Sequence, residues 1–599
     1  MTMLRHAQRF LRTPLPAAAL ALLPLAMPAA AQEAAPAAPA PAATAPSDSA
    51  MVNLVRALVA QKAITEAQGN ALIAQAEAEA AAARAAREAA PAGIAAAPPG
   101  TIRVPYVPDT VRTQIKEELK REVLAEAKAE RWAAPDAAAP EWTQRITIGG
   151  DLRVRYYGEY YSNQNSNQII DFEQINLQGP YDVFNNPVLP FLNSRQNRNT
   201  ADFRLRLNIG AKITDRLAVD LQLATGDDRS PISVSDSLGG GLRPRNFWVQ
   251  RAAIIAKPTD WSRVWAGRFT NPFTSAALTT ERVTLLFDND LAFDGIAAEA
   301  NIGKALGQDF NATVRGGLFP IDLGGRNYPS TSQDKIAYPA KYFYSGQLEL
   351  EHKFGGVDVQ ASIAYHDFKN IQGQLSEPCL VYLGAVECST DGFRPNFQRK
   401  GNTLSPLRRI AVDPTLPSGQ VQPQPQFFAP TFGFRVLHLS AEANVPVWDK
   451  TFVKVTGQYI NNLAFKRSDI CRNGIAGQPF NNGGDGGDGN ICSATNATPF
   501  VGGNQGYQIG LALGTAKIKT RGDWSLNLGY RYLESDAILD SLTDSDFHLG
   551  GTNNKGFIVG AEVGIAKNLV VGGRWLSANE IAGEPYAIDV LQIEMVASF

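Results

Sequence analysis

The chain has 599 residues, 44% of them hydrophobic and 19% charged, and its formal net charge is −2. A charge this close to zero gives no general attraction to nucleic acid, so we expect no nucleic-acid partner. The length is about four times that of a typical domain, although a single large barrel can exceed the typical size.

The first 31 residues are predicted to be a secretory signal peptide. Arg5, Arg9 and Arg12 precede an apolar run, and three alanines just before Gln32 offer a small-residue cleavage site. A membrane anchor is the alternative interpretation, but the run is short and is interrupted by prolines. No run of 18 apolar residues follows Gln32, so the sequence predicts an exported protein without a membrane-spanning helix.

An Ala-rich, largely helical extension is predicted after the signal peptide. It divides into a tether over 32–48, a helical hairpin over 49–90, a Pro-rich linker over 91–108, and an amphipathic helix with a further linker over 109–142. The composition of the tether and the linkers is typical of flexible segments. The sequence therefore predicts helices that are separated from the rest of the chain.

The amphipathic helix carries a single apolar stripe. Val111, Ile115, Leu119 and Val123 recur every four residues, with charged residues between them. One such stripe is not stable alone in water, so the segment either packs against another surface or stays partly disordered. A coiled-coil trimer and a helix that lies against its own protein are both open interpretations.

From residue 143 to 599 the hydrophobic period changes from about 3.6 to 2. In one segment, for example, Leu205 and Leu207 alternate with Arg204 and Arg206. Sixteen segments share this pattern, and each has about the 9–11 residues that a tilted strand needs to cross a bilayer. Because backbone groups in lipid must be paired, such strands can span a membrane only as a closed barrel. The sequence therefore predicts an all-β transmembrane fold, an antiparallel β-barrel of about 16 strands, with a range of about 14–18.

Three features favour this barrel over a large secreted sandwich or adhesin. Charges recur on the polar face, which a packed core would not tolerate. Aromatic residues such as Trp265 and Phe269 stand near strand ends, where interfacial girdles form. Short links, expected as periplasmic turns, alternate with long links, expected as extracellular loops. The last segment ends at Phe599, and we expect it to pair with the first strand near Leu152 and close the barrel at the membrane interface.

A barrel of this width leaves an aqueous lumen, so the charges on the polar face become candidate pore-lining residues. Opposed basic and acidic sectors would orient dipolar solutes, whereas the alternative is that these charges only pair across neighbouring strands. The loop 160–200, rich in Asn and Gln, is a candidate for folding into the pore, and a solvated surface loop is the alternative. The candidate pore-lining residues are Arg153, Arg155, Arg204, Arg206, Arg315, Arg531, Arg574, Glu299, Glu349, Glu351, Glu442 and Glu562.

The four cysteines fall as two local pairs within Gly-, Pro- and Asn-rich segments. In an exported protein this spacing predicts the disulfides Cys379–Cys388 and Cys471–Cys492, although two other connectivities remain open. Metal binding is disfavoured because no C-x-x-C and no nearby histidine accompanies them. The stretch "NNGGDGGDGN" over 481–490 is weakly similar to Gly-Asp calcium repeats, and a flexible loop tip is the alternative.

Three stretches carry a resemblance to a known family. "VPYVPDTVRTQIKEELKREVLAEAKAERW" leads into "RITIGGDLRVRYYGEYY", and "TLLFDNDLAFDGIAAEA" over 284–300 stands between two strands. Together with the signal peptide and the Ala-rich hairpin, they resemble the bacterial outer-membrane proteins called putative porins, over nearly the whole mature chain. The resemblance implies a Gram-negative outer-membrane porin with a periplasmic N-terminal extension, and it supplies no catalytic residue.

The expected function is passive diffusion of small hydrophilic solutes or ions through an aqueous channel. A gated, substrate-specific channel is one alternative, and a structural protein whose N-terminal helices bind periplasmic partners is another. An enzyme is not expected, because no Ser/His/acid arrangement is legible around the histidines that remain after cleavage, which are His352, His366, His438 and His548.

The expected partners follow from this location. They are outer-membrane lipid and lipopolysaccharide, the barrel assembly machinery acting through the C-terminal strand, and two further copies of the chain in a homotrimer. The N-terminal helices would contact periplasmic or cell-wall partners. No cofactor and no metal are expected.

Overall fold

The structure is a computed structural model, in which the chain divides into two units, Met1–Lys116 and Glu117–Phe599. In the first unit the described residues are Ala67, Asn70, Ala74, Ala78 and Ala81, all helical and exposed. In the second they are Glu117, which is helical, and 143–599 without 186–187, 275, 277–283, 308–310, 325–327, 330–332 and 474–499. The predicted signal peptide, tether and linkers, and nearly all of the predicted helices, lie outside the described residues.

Sixteen antiparallel strands form a closed barrel, as the sequence predicts. Each strand pairs with its predecessor along the chain, and the last pairs with the first. A two-residue strand, Asp236–Ser237, adds to the edge of one of them without spanning the barrel. The barrel strands are β1 Ile146–Tyr161, β2 Arg198–Thr214, β3 Leu217–Ala224, β4 Trp248–Ala256, β5 Ser262–Thr270, β6 Ala292–Asn301, β7 Asn311–Asp322, β8 Lys341–Phe354, β9 Val357–Lys369, β10 Phe434–Trp448, β11 Thr451–Asn462, β12 Gln505–Thr515, β13 Trp524–Leu533, β14 Asn554–Ala566, β15 Leu569–Glu580 and β16 Ala587–Ser598.

Burial follows the period of 2 in several strands, β1 and β8 among them. In β1, Leu152 and Val154 are 41% and 39% exposed, whereas Arg153 and Arg155 are 4% and 3% exposed. Successive side chains of a strand point to opposite faces, so the apolar residues face outward and the arginines face the interior. This is the reverse of a soluble core and is typical of a barrel whose outer surface meets lipid.

The two ends of the strand sequence meet at the barrel seam. Leu152 stands opposite Ala597 in the register of β1 and β16. Beyond it, the backbone N of Gly150 donates to the carbonyl oxygen of Phe599 at 3.0 Å, and the reverse bond has the same length. Closure pairs the edges of both strands, which matters because an unpaired backbone group in lipid costs several kcal/mol.

Short and long connections alternate around the barrel. At one end, the short-turn end, lie the links 215–216, 257–261, 302–310, 355–356, 449–450, 516–523 and 567–568. At the other, the long-loop end, lie loop 1 (162–197), loop 2 (225–247), loop 3 (271–291), loop 4 (323–340), loop 5 (370–433), loop 6 (463–504), loop 7 (534–553) and loop 8 (581–586).

The loops hold most of the remaining regular structure. Helix α1 (Phe172–Gln178) is in loop 1, α2 (Ile302–Ala305) joins β6 to β7, and α3 (Asp469–Asn473) is in loop 6. Single 3-10 turns are Thr143–Arg145 before β1, Val381–Leu383 and Asp391–Phe393 in loop 5, and Asp540–Leu542 and Phe547–Leu549 in loop 7. Within loop 5, Leu404–Pro406 pairs with Phe428–Pro430, while Pro425–Gln426 pairs with Tyr181–Asp182 of loop 1.

Loop 1 packs on loop 5. Asp171 caps helix α1 by accepting from the backbone N of Gln174 at 3.0 Å, which satisfies a donor that the first helical turn leaves free. The helix buries Ile175, and the Asn176 side chain donates to the carbonyl oxygen of Phe428 at 3.0 Å. Loop 1 therefore contacts loop 5 at the long-loop end, and the hypothesis that loop 160–200 folds into the pore stays a prediction.

Loop 5 has its own small core and a disulfide. Arg408 is buried, and its Nε donates to Asp391 Oδ1 at 2.9 Å. The predicted Cys379–Cys388 bond is present. Cys471 is also disulfide-bonded, but Cys492 lies outside the described residues, so that pairing remains a prediction.

Replacing Cys379 and Cys388 by serine should loosen loop 5 without unfolding the barrel. A bond across this short separation restricts the open chain by about 2–3 kcal/mol, and the barrel strands pair without it. Hydrogen exchange should show faster exchange confined to loop 5, while the temperature at which the folded band disappears on gel electrophoresis stays unchanged. A fall in that temperature would contradict the local role given to this disulfide.

Candidate constriction inside the barrel

Loop 3 folds into the barrel interior. Thr274 donates its backbone N–H to Gln347 Oε1 of β8 at 3.0 Å, and Leu285 donates to Gln458 Oε1 of β11 at 3.3 Å. Arg531 of β13 donates to the carbonyl oxygen of Leu285 at 3.4 Å. These partners lie on strands from different parts of the wall, so the loop crosses the lumen.

A sector of phenylalanines holds loop 3 against the wall. Its wall members are all buried and come one from each of the six consecutive strands β5 to β10: Phe269, Phe293, Phe319, Phe343, Phe368 and Phe434. The rings of Phe319 and Phe343 stack with centroids 4.7 Å apart. From loop 3, Phe287 packs edge-on to Phe293 at 5.2 Å, and Phe273 packs edge-on to Phe319 at 5.8 Å. Each such pair contributes about 0.5–1.5 kcal/mol beyond its buried area.

The phenylalanine sector corrects one sequence-based expectation. Phe269 was expected in an outer aromatic girdle, but it is 2% exposed and points into the barrel. Trp265 packs against the same cluster. Alternation puts Trp265 and Phe269, four positions apart in β5, on the same face of the strand. It does not by itself say whether that face meets lipid or the interior.

Loop 7 joins loop 3 inside the lumen. The backbone N of Asp288 donates to the carbonyl oxygen of Leu542 at 2.9 Å. In return, the backbone N of Ser545 donates to Asp288 Oδ2 at 2.8 Å. Two loops, not one, therefore form the constriction.

A basic wall faces the acidic loops. Arg155 of β1 contacts Asp546 of loop 7 at 3.0 Å and Glu594 of β16 at 2.9 Å. Arg574 of β15 reaches the same Asp546 at 3.1 Å. On the other side, Arg206 of β2 lies 3.4 Å from Asp290 of loop 3. The predicted basic residues of β1, β2 and β15 are thus brought together, opposite loop carboxylates.

Further wall contacts complete this group. Arg204 and Arg206 both contact Asp151, at 3.0 and 2.7 Å, and Arg153 donates to Ser235 of loop 2 at 2.6 Å. Between the wall and the loops remains a polar cavity of ≈ 30 Å³, which is room for about two water molecules.

The loop acids differ in protonation. Burial by itself would raise the pKa of Asp546, but Arg155 and Arg574 lower it below the usual carboxyl range. Burial, together with Asp290 and Asp544, raises the pKa of Asp288 well above its usual value. Burial likewise raises the pKa of Asp544. The arginines thus favour the ionised form of Asp546, whereas burial favours the protonated forms of Asp288 and Asp544.

The other predicted residues lie in separate places. Arg315 bridges Glu299 and Glu349, each at 3.1 Å, and forms a second cluster beneath the start of loop 3. Arg531 lies 5.3 Å from the ring centre of Phe547 in loop 7. Glu351 is exposed and bonds Asn311, Glu442 pairs with Lys454 at 3.3 Å, and Glu562 accepts from Ser525 at 3.3 Å. None of these last three contacts a loop in the described contacts.

Sequence reasoning missed the acidic half of the constriction. Asp288 and Asp290 sit in the stretch "FDNDLAF", and Asp544 and Asp546 repeat the same spacing in "TDSDF". The signal was a pair of acids two residues apart in each of two loops. Nothing in the strand alternation, however, says that loops 3 and 7 turn inward.

Acid pH should tighten the packing of loop 7 on loop 5. Asp536 accepts from the backbone N of Thr403 at 2.8 Å, and the backbone N of Asp540 donates to Asn402 Oδ1 at 2.9 Å. Burial raises the pKa of Asp536 to about 6 and that of Asp540 to about 7. Since the packed state holds these protons more tightly, its stability is fully present below the ordinary carboxyl pKa and is lost as the pH rises through 6 and 7.

Single-channel recording checks this pH dependence. We expect fewer and shorter loop-dependent current fluctuations at pH 5 than at pH 8, because Asp546 stays ionised over this range and its ion pairs persist. Asp540→Asn, which cannot ionise, should reduce the difference between the two pH values. Fluctuations that grow as the pH falls would contradict the prediction.

One serine–histidine contact bears on the enzyme alternative. Ser345 Oγ lies 2.7 Å from His366 Nδ1 in the barrel interior. His366 is 0% exposed between the rings of Phe273 and Phe287, and its Nε2 has no hydrogen-bond partner among the described residues. A catalytic triad needs an acid at that nitrogen and access for a substrate, and the geometry here provides neither.

Two searches of the described residues gave negative results. No helix in the described ranges is both long enough and apolar enough to cross a membrane. The described His, Cys, Asp and Glu side chains also include no group of three or more that could hold a metal ion.

Comparison with known proteins shows that one protein family matches the chain. The family described as "Putative porin" matches residues 48–599. No match was found among curated proteins. Because the family match spans most of the chain, it is the finding on which the function rests.

Among solved structures, the chain is similar to the high-pH structure of Pseudomonas putida OprB, with 11% identity, 76% of this chain and 95% of that chain covered, and a TM-score of 0.40. It is also similar to the outer membrane channel DcaP of Acinetobacter baumannii, with 11% identity, 76% and 97% covered, and a TM-score of 0.36. Salmonella typhi OmpF in complex with daunomycin shows 9% identity, 76% and 97% covered, and a TM-score of 0.34.

Proposed function

The chain belongs to the putative porin family and is an outer-membrane channel rather than an enzyme, and on that premise we propose that it conducts small hydrophilic solutes and ions by passive diffusion through a two-loop constriction. The observation that carries the proposal is the placement of loops 3 and 7 across the lumen, with Asp290 and Asp546 facing Arg155 and Arg206. Such opposed charges create a transverse field that orients and selects solutes.

The predicted pore-lining residues take unequal roles in this proposal. The arginines of β1, β2 and β15 form the basic side of the narrowest part. Arg315, Glu299 and Glu349 hold the root of loop 3 instead, since Thr274 of that loop also bonds to Glu349. Glu351, Glu442 and Glu562 would line wider parts of the lumen.

Orientation and partners are part of the proposal. The long loops would face the exterior and the short-turn end the periplasm, so that the N-terminal extension enters the periplasm before β1. Exposed apolar residues such as Leu152 and Val154 would contact outer-membrane lipid and, at the outer rim, lipopolysaccharide. The barrel assembly machinery would recognise the exposed Phe599. Three copies of the chain would associate through the outer walls of their barrels.

Single-channel conductance of the purified chain in a planar bilayer tests the proposal. Stepwise, long-lived openings would support an open lumen, and the reversal potential in a salt gradient would give the ion preference. Folded protein that stays silent in the bilayer would overturn passive diffusion.

A gated channel is the second candidate, because the two loops are bonded to each other and leave only ≈ 30 Å³ between them and the basic wall. It predicts openings that depend on a solute or on voltage. A chain without residues 32–142 distinguishes the structural alternative: its conductance should be unchanged if the barrel is the channel and the helices are accessory.

A further inference from the structure

A second cavity lies beside the constriction at the long-loop end. Its volume is ≈ 430 Å³, within the range of about 300–1,000 Å³ typical of small-molecule sites. Aromatic and aliphatic side chains from the wall and from loops 5 and 7 dominate its lining. The main ones are Phe293, Phe319, Phe343, Phe393, Phe397 and Leu542.

The cavity adjoins the polar cavity of the candidate constriction. Leu542 lines it, and the carbonyl oxygen of Leu542 accepts from the backbone N of Asp288, which lines the polar cavity of the constriction. Leu291, three residues further along loop 3, lines the aromatic cavity as well. A solute held there is therefore next to the narrowest part of the lumen.

The basic residues in the lining already have acidic partners. Arg268 contacts Asp294 at 3.0 Å, and Lys341 lies 3.6 Å from Asp322. Arg229, at the exposed rim, lies 3.7 Å from Asp227. An anionic solute would have to compete with these carboxylates for each cation.

Asp540 is the lining acid that is buried without a cation. Its side chain makes no ion pair among the described residues, and its carboxyl accepts only from backbone N–H groups, from that of Arg399 at 3.3 Å and from that of Asn402. Its Oδ2 has no hydrogen-bond partner in the described part of the chain. A buried carboxylate in this state gains strongly from a positively charged donor.

The aromatic lining favours the same kind of ligand. Ring faces carry partial negative charge, so they attract a cation and repel an anion. The attraction is larger where the ligand is desolvated, and Phe319 and Phe343, which are 1% and 4% exposed, supply such an apolar surface.

We propose that this cavity binds a small aromatic ammonium ion, with its ring among the phenylalanines and its charged group toward Asp540, before the ion enters the constriction. Binding of the ion in the cavity does not depend on the proposed function. Only the later passage of the ion through the constriction rests on it. The cavity and its unpaired acid exist whether or not the channel conducts passively.

Current block in a planar bilayer at pH 8 tests the proposal, because the pKa of Asp540 is about 7 and its carboxyl is then mainly ionised. Phenethylammonium is compared with phenylacetate, which has a similar size and the opposite charge, and with neutral 2-phenylethanol. We expect half-block by phenethylammonium at a concentration about tenfold lower than by phenylacetate, as one charged hydrogen bond would give. Equal block by the two ions would overturn the proposal.

Three variants test whether the current block by phenethylammonium arises in the aromatic cavity. Asp540→Asn should bring the two half-blocking concentrations within about threefold of each other. Asp544→Asn is the matched control, because Asp544 is a buried acid of the same loop that lines the polar cavity and not the aromatic one. Ser541→Phe places a ring into the cavity and should abolish the block, and it keeps the test decisive if Asp540→Asn does not fold. A block that survives Ser541→Phe would overturn the proposal.

Equilibrium dialysis of phenethylammonium against the folded protein in detergent separates this inference from the proposed function. Binding that Ser541→Phe removes would support the aromatic site even if the bilayer stays silent. Stepwise conductance without block and without binding would leave the channel standing and refute the site.

Discussion

The double variant Asp290→Asn, Asp546→Asn should shift the channel toward anions. Asp546 is ionised between Arg155 and Arg574, and Asp290 lies opposite Arg206. Removing both loop charges leaves the basic wall with Glu594, Asp151 and the more distant Asp202 as acidic partners. Two unbalanced positive charges a few ångströms from the path should change the cation-to-anion permeability ratio on the order of tenfold. The reversal potential in a potassium chloride gradient measures this ratio.

Asp288→Asn is the matched control for that experiment. Asp288 lies in the same loop and lines the same cavity, but burial, together with Asp290 and Asp544, raises its pKa well above the usual carboxyl value, which favours its neutral form. An amide in its place should therefore change the charge of the constriction little, and the reversal potential should stay close to the parent value. If Asp288→Asn shifts selectivity as much as the double variant does, loop geometry and not charge sets the ion preference.

Removing β16 should abolish folding altogether. Without residues 587–599, β1 and β15 each lose the partner that satisfies one edge. Each backbone group left unpaired in the bilayer costs several kcal/mol, and a whole strand edge cannot be balanced by the remaining contacts. On gel electrophoresis the truncated chain should show no difference in migration between heated and unheated samples.

A loop deletion of equal length provides the control for this truncation. Residues 412–424 form an exposed part of loop 5 that contributes no barrel strand. Their removal should leave a barrel with unchanged heat-dependent migration. A folded band from the chain without residues 587–599 would mean that the barrel closes in another register.

The sequence predicted the basic side of the constriction but not its acidic side. The arginines of the basic wall could be named because Arg153, Arg155, Arg204 and Arg206 alternate with apolar neighbours, and a period of 2 assigns a face residue by residue. Their acidic partners on loops 3 and 7 follow no period. Which carboxylate meets which arginine depends on contacts such as Arg155 with Asp546, between residues far apart in the chain.

The sequence by itself determined the strands, a number of about 16 and, with Phe269 as an exception, the side of the wall that strand residues face, because these properties depend on neighbours one and two positions away and on the need to pair every backbone group in lipid. It also indicated closure, since the last alternating segment could satisfy its edges only by pairing with the first. Only the tertiary structure decided that loop 3 crosses the lumen, that loop 7 joins it, and that phenylalanines from six strands form one sector. The reason is that a loop has no repeating pattern, and its path is set by the long-range packing of a few side chains, such as Leu285 beneath Arg531.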